Sequence, residues 1–321
     1  MHWLTRPDRR RRRSQAGAGA RALRRFDAAL RGAMMPLRLI KGRYRILHSQ
    51  PDGDSVHFFP DDAEAFAKLR VRAHLSAAGS VQLRLDAIDA LETHYTPRAH
   101  GGFTQHQPLA LAHAPADRLL SLLGFGDVKR DRETVVSATP DETPGYILTR
   151  FADKYGRPVA FAYAGTADQA DLGQVQVTAA MLRESVNHRL LAEGLVYPTF
   201  YSKLYPDLRA ELTAVSQAAR TAGNGVWAGD ATTSGATITS LADLDDHVVI
   251  LPKLFRRLVD YLALGAGDVS LDRFTSFLAT RNDRLFVISE AHATGMDTIT
   301  AVAGQKLRLT HPPEDLIFLE A

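Results

Sequence analysis

The stretch Val81-Gln82-Leu83-Arg84-Leu85-Asp86-Ala87-Ile88-Asp89-Ala90-Leu91-Glu92-Thr93 opens as an alternating strand and closes in acidic residues. Alternation sets Val81, Leu83 and Leu85 on one face and Arg84 on the other. Working outward, residues 44–48, 55–59 and 69–75 also read as strands, parted by the turn residues Pro51-Asp52-Gly53 and Ala78-Gly79-Ser80. On the other side a helix is predicted within 108–123, then a hairpin over 146–163 that turns at Asp153-Lys154-Tyr155-Gly156-Arg157. Two helices come next, over 175–193 and 206–222, each stopped by glycine at Gly194 and Gly223. Short strands in a meander with three helices predict an α+β fold, a five-stranded Greek-key barrel of the OB type, which is used for nucleic acids and oligosaccharides.

Chemistry concentrates in three places along this frame. Asp52-Gly53-Asp54-Ser55 sets two carboxylates beside a glycine at a strand mouth, 84–92 places acids at the end of another strand, and Arg157 closes the hairpin. Oxygen ligands from Asp54 and Asp89, with a backbone carbonyl and water, suit a hard cation such as Ca²⁺. Arg84 and Arg157 each offer a planar fork to phosphate oxygens, and Glu92 is spaced to take a proton from an attacking water. The combination predicts phosphodiester hydrolysis. Taken singly, each residue has a plainer explanation: Asp-Gly-Asp as a turn, an arginine as a solvated strand face or an ion pair with Asp86, and Asp153 to Arg157 as a polar hairpin loop.

In this order the motifs resemble the staphylococcal nuclease (thermonuclease) domain family. The resemblance rests on Asp52 to Ser55, Arg84 to Thr93, Asp153 to Arg157, Ser185-Val186-Asn187 with Gly194-Leu195, and Gly225-Val226-Trp227. It implies an OB-fold barrel and calcium-dependent cleavage of DNA and RNA, with Mg²⁺ or Mn²⁺ as alternative ions. Asp54, Asp89 and the carbonyl of Ala90 would ligate the metal, Arg84 and Arg157 would bind the scissile phosphate, and Glu92 would be the general base. Leu91 stands where the family has proline, which frees a backbone φ that proline would lock and so leaves Glu92 free to wander. Insertions at 60–67 and 96–145 border the expected cleft, the second expected to hold more than one helix. A noncatalytic nucleic-acid-binding or scaffolding module of the same fold is the rival reading.

The remainder bounds the class. With no cysteine, disulfides, thiolate nucleophiles and Cys-ligated zinc are excluded. No apolar run spans a bilayer and no apolar signal core follows the arginines, so a cytoplasmic chain with no membrane partner is expected. The net charge of +3 hides an asymmetry, because residues 1–45 hold thirteen Arg, one Lys and two Asp. Residues 1–42 therefore read as a basic arm, either a solvated extension or a grip on nucleic acid. The barrel domain is expected over 43–230 and a linker over 231–237. Residues 238–321 read as a small α+β appendage, self-contained or packed as a cover, with Lys253, Arg256 and Arg257 read as a solvated helix face or, as the rival, a face toward nucleic acid. His94, His100, His106 and His113 read as loop histidines. Tyr155, Tyr197, Phe200 and Tyr201 are candidates for base stacking, and Trp227 for the core.

Overall fold

Strand β1 (Leu37–Arg45) buries Leu39, Ile40 and Tyr44 completely and so begins inside the span expected to be arm. The computed structural model describes residues 36–97, 103–265 and 268–320; the arm up to residue 35 and His100 lie outside the described residues. After β1 come β2 (Ser55–Pro60), α1 (Ala65–Lys68), β3 (Val81–Leu85) and β4 (Ile88–Asp89). The strand expected over 69–75 does not form. Arg70 takes φ +57°, in the left-handed region that breaks an extended run, and His74 instead hydrogen-bonds the Gly156 carbonyl at 2.8 Å.

Next come α2 (Leu109–Leu122), the hairpin β5 (Gly126–Asp131) and β6 (Thr134–Thr139), then β7 (Glu142–Ala152) and β8 (Pro158–Ala164). The second insertion thus holds one helix and a hairpin among the described residues, rather than several helices. After β9 (Gln174–Val175), the helix expected over 175–193 is two helices, α3 (Ala179–Glu184) and α4 (Val186–Ala192). Ser185 is extended between them and its Oγ accepts the His188 N–H at 3.1 Å, so a helix start interrupts the run. Strands β10 (Tyr197–Pro198) and β11 (Phe200–Tyr201) lead to α5 (Pro206–Ala222), which ends on Gly223 in the left-handed conformation.

Five strands close into a barrel in the order β1-β2-β3-β8-β7, with β7 returning to β1; only the β3–β8 pairing is parallel. Closure needs close approach at two opposed glycines. Gly42 pairs with Gly145, where a Cβ would lie 2.6 Å from the Phe58 ring at Gly42 and 2.7 Å from the Tyr163 carbonyl at Gly145. Their absence of side chain admits the Tyr44 and Phe58 rings to the interior, with centroids 5.3 Å apart.

The C-terminal part contains β12 (Ala236–Thr237), α6 (Leu241–Asp246), α7 (Pro252–Leu262), α8 (Phe274–Arg281) and β13 (Arg284–Val287). It finishes with β14 (His292–Gly295), β15 (Thr300–Ala303), β16 (Lys306–Leu309) and β17 (Leu316–Phe318). The described residues therefore contain eight α-helices rather than three. The stretch expected as a linker is built in: Thr232 is fully buried, its Oγ1 accepts the Leu251 N–H at 2.9 Å, and its carbonyl accepts the Leu309 N–H at 2.7 Å. Leu37–Ala321 packs as one compact unit. Its second core mixes Leu91, Tyr197, Val226 and Trp227 with Ile250, Phe255, Leu258 and Phe318, and β11 pairs in parallel with β17. No helix of the described residues is long and apolar enough to cross a membrane.

Candidate active site

Three elements, the last two of them consecutive in sequence, converge at one end of the barrel. The first is the turn Asp52-Gly53-Asp54, where the Asp54 N–H donates to Asp52 Oδ1 at 3.2 Å. Gly53 is required there by space, since a Cβ would lie 2.7 Å from the Pro115 side chain and crowd Ala90 as well. Asp54 leaves this turn buried, and its Oδ2 accepts the Ala90 N–H at 3.1 Å. The second is β3, where Arg84 is the register partner of Ser55 on β2 and of Val159 on β8. The third is β4, reached through Ala87 at φ +68° and pinned by pairing of Asp89 with Tyr197.

Arg84 lies between two acids. Its guanidinium pairs with Asp54 through Nη1 and with Asp89 Oδ1 through Nη2 at 2.8 Å, and Nη2 also donates to the Ile88 carbonyl at 3.0 Å. Asp86, the simpler partner by sequence, is not engaged in an ion pair with it among the described residues. Burial pushes the Asp54 carboxyl up to about 6, although Arg84 opposes the shift. Burial also acts on Asp89, but there the guanidiniums of Arg256 and Arg84 prevail and draw it down to about 2. Glu92 is raised by burial, with Arg256 pulling the other way.

Arg256 is the residue that sequence reasoning misjudged. It projects from α7, 164 positions beyond Glu92, yet its Nη2 donates to Asp89 Oδ2 at 2.8 Å and its Nη1 pairs with Glu92. Lys253 and Arg257 are likewise paired, both with Asp283, so this helix presents its cations to acids and not to open solvent. Nothing in the local sequence marks the contact, because helical periodicity cannot tell a solvated arginine from one reaching an acid in another segment.

Glu92 is held despite Leu91. Leu91 is only 3% exposed in the second core, and Gln107, fully buried, fixes the backbone next to it. The Glu92 backbone is hydrogen-bonded to Gln107 and its carboxylate pairs with Arg256. Arg157 stands apart from the acids: Nε donates to Asp153 Oδ2 at 2.8 Å, and its N–H donates to Asp153 Oδ1 at 2.9 Å. Among the described residues no hydrogen bond or ion pair joins Arg157 to Asp54, Asp89 or Glu92. It sits two residues before Val159, the register partner of Arg84.

Asn187 has a structural role, accepting the Ala162 N–H at 3.0 Å and donating to the carbonyls of Ala160 and Asp86 at 3.0 and 2.9 Å. Tyr197 and Phe200 are fully buried and Trp227 nearly so, which withdraws the first two from base stacking; Tyr155 is 53% exposed. His94 contacts Thr93, His106 donates its N–H to Asp245, and His113 meets Glu133, so these three histidines form no shared cluster. A cavity of about 180 Å³ opens beside Asp52 and Thr93, lined also by His94, His113, Arg130 and Arg132.

The donor chemistry suits a hard cation: Asp54, Asp89 and the backbone of Ala90 are gathered within hydrogen-bond reach of one another or of the shared Arg84, and all offer oxygen. As they stand, both Asp89 oxygens are engaged by guanidinium groups. Among the described residues no three His, Cys, Asp or Glu side chains are arranged as a metal-holding group. No family model matches the chain, and no curated protein is significantly similar to it.

Proposed function

We propose that the protein is a metal-dependent, largely sequence-nonspecific nuclease that hydrolyses phosphodiester bonds of DNA or RNA, built on an OB-fold barrel. The observation that carries this reading is the meeting of Asp54, from the turn before β2, with Arg84 and Asp89 of the 84–92 stretch, whose Glu92 shares Arg256 with Asp89. The closed five-stranded barrel β1-β2-β3-β8-β7, with its single parallel pairing, supports the same reading.

Glu92 takes the proton of the attacking water, and its burial raises its proton affinity toward that task. Arg84 places its fork on the phosphoryl oxygens as their charge grows, and Arg157 swings from Asp153 to share that load. Losing one such donor in comparable sites costs ~10²- to 10³-fold in rate. Asp54, Asp89 and the Ala90 carbonyl would hold Ca²⁺, or else Mg²⁺ or Mn²⁺, which when bound supplies further charge neutralisation at the phosphate. The cavity beside Asp52 and Thr93, with its arginines and histidines, gives a nucleic-acid strand a polar approach.

The rival, a noncatalytic nucleic-acid-binding module, draws support from the pairing of Arg256 with Glu92, which quiets a base. Incubation of the purified full chain with plasmid DNA and RNA, under Ca²⁺, Mg²⁺, Mn²⁺ or chelator, separates them. Metal-dependent loss of both substrates is expected; retention of intact nucleic acid under every ion, with binding preserved, sinks the nuclease reading.

A further inference from the structure

The nuclease reading leaves Arg256 without a task, although it makes the densest set of charged contacts at the site. Its side chain is one-quarter exposed, while Asp89 beneath it is 1% exposed. Asp89 Oδ1 is held by Arg84 at 2.8 Å and Oδ2 by Arg256 at 2.8 Å, with a longer Arg256 contact to Oδ1 at 3.4 Å. A carboxylate so enclosed cannot also face a divalent ion without giving up a guanidinium. Arg84 is held in addition by Asp54 and the Ile88 carbonyl, on a side chain 16% exposed against 25% for Arg256. Arg256 is the releasable one, because it reaches in from outside on a flexible stem.

We propose that Arg256 is a built-in competitor for the divalent cation: the C-terminal part of the chain holds a guanidinium against Asp89 and Glu92, and cation uptake requires that guanidinium to leave. The inference rests on the nuclease reading for which oxygens take the ion. Release needs only a swing of the side chain. Leu254, Phe255 and Leu258 on the same helix are fully buried, and Arg257 is fastened to Asp283, so α7 stays seated while Arg256 turns to solvent. The same movement frees Glu92, so that ion uptake and activation of the base are one event. With the guanidinium seated, the acids are neutralised and the site is inert.

The test is calorimetric titration of Ca²⁺ into the full-length protein and into Arg256→Gln and Arg256→Lys. Relative to the natural chain, Arg256→Gln should bind Ca²⁺ roughly ten- to a hundredfold more tightly, the size of a typical coupling between two competing ligands. Arg256→Lys keeps the charge but loses the fork, and should fall between them; it serves if the glutamine variant fails to fold. Equal affinities in all three proteins overturn the proposal, as does absence of Ca²⁺ binding by all of them. Weakened DNA binding with unchanged Ca²⁺ affinity also overturns it, and makes Arg256 a phosphate contact instead. Cleavage assays on the same preparations keep the two readings apart. An affinity shift with no cleavage by any form removes the nuclease and leaves the competition standing; cleavage without a shift does the reverse.

Discussion

Gln107 grips the two backbone polar groups of Glu92: Gln107 Oε1 accepts the Glu92 N–H at 3.2 Å, and the Gln107 N–H donates to the Glu92 carbonyl at 2.9 Å. The amide's other end donates to the carbonyls of Ile250 and Val248 at 2.8 and 3.4 Å. One buried amide thereby ties the proposed base to the C-terminal part of the chain. Gln107→Leu leaves the Glu92 N–H and the Ile250 carbonyl unpaired, at about 1–3 kcal/mol each. Denaturant unfolding should show a loss of about 2–6 kcal/mol, and an unchanged midpoint would count against the clamp.

Glu92→Gln removes the base while leaving Asp54, Asp89 and Arg84 in place. Turnover should fall by orders of magnitude with circular dichroism unchanged, since the amide can still accept from Arg256. Full activity in a folded variant would remove Glu92 from the chemistry.

A chain ending near Thr233 tests how far the barrel depends on the C-terminal part. Leu91, Tyr197 and Trp227 share a core with 238–318, Arg220 is paired with Glu314, and Asp89 would lose Arg256. Arg84 stays on Asp89, so the chief loss is the shared apolar core, which the cut would open to water. The shortened chain should be poorly soluble or melt far below the full chain; equal melting temperatures would mean that the two cores are independent.

One half-buried histidine, His57, and one buried one, His188, pull stability down as pH falls, against the raised carboxyls of Asp54, Asp86 and Glu92, which pull it up. Burial lowers the proton affinity of both His57 and His188, the latter against the pull of Glu211. Groups with depressed folded values favour folding above the ordinary histidine range, and that contribution falls away as pH drops below about 6.5. Between about pH 7 and pH 5 the melting temperature of His188→Gln should therefore rise relative to that of the natural chain, by the histidine contribution alone. A parallel course in both proteins would clear His188 of any part in it.

The basic arm is testable through salt. Residues 1–35 hold ten Arg and two Asp, ahead of β1. Each phosphate they neutralise should add about −0.9 to the slope of log K against log salt on duplex DNA. Deleting 1–35, which spares Leu37, should flatten that slope by several units while cleavage of a dinucleotide barely changes. Equal slopes would show that the arm does not meet DNA.

Much of the barrel was legible because its determinants are local. Alternation located β2 and β3, the Asp153 to Arg157 turn located the β7–β8 hairpin, and Gly223 closed α5 at its observed end. The residues brought to the site from within the barrel, Asp54, Arg84 and Asp89, were likewise readable, because each sits at a strand end whose position comes from patterning. Failures arose where a short-range signal met a longer-range demand. Residues 69–75 carry strand-like composition but pass beside the β7–β8 turn, and Ser185 splits a helically spaced run by capping a new helix start. Only the tertiary structure decided that Thr232 is buried, that Gln107 holds Glu92, and that Arg256 reaches Asp89 across 167 positions. Charge pairing and burial depend on which surfaces meet, and no periodicity along the chain encodes a meeting between elements so far apart.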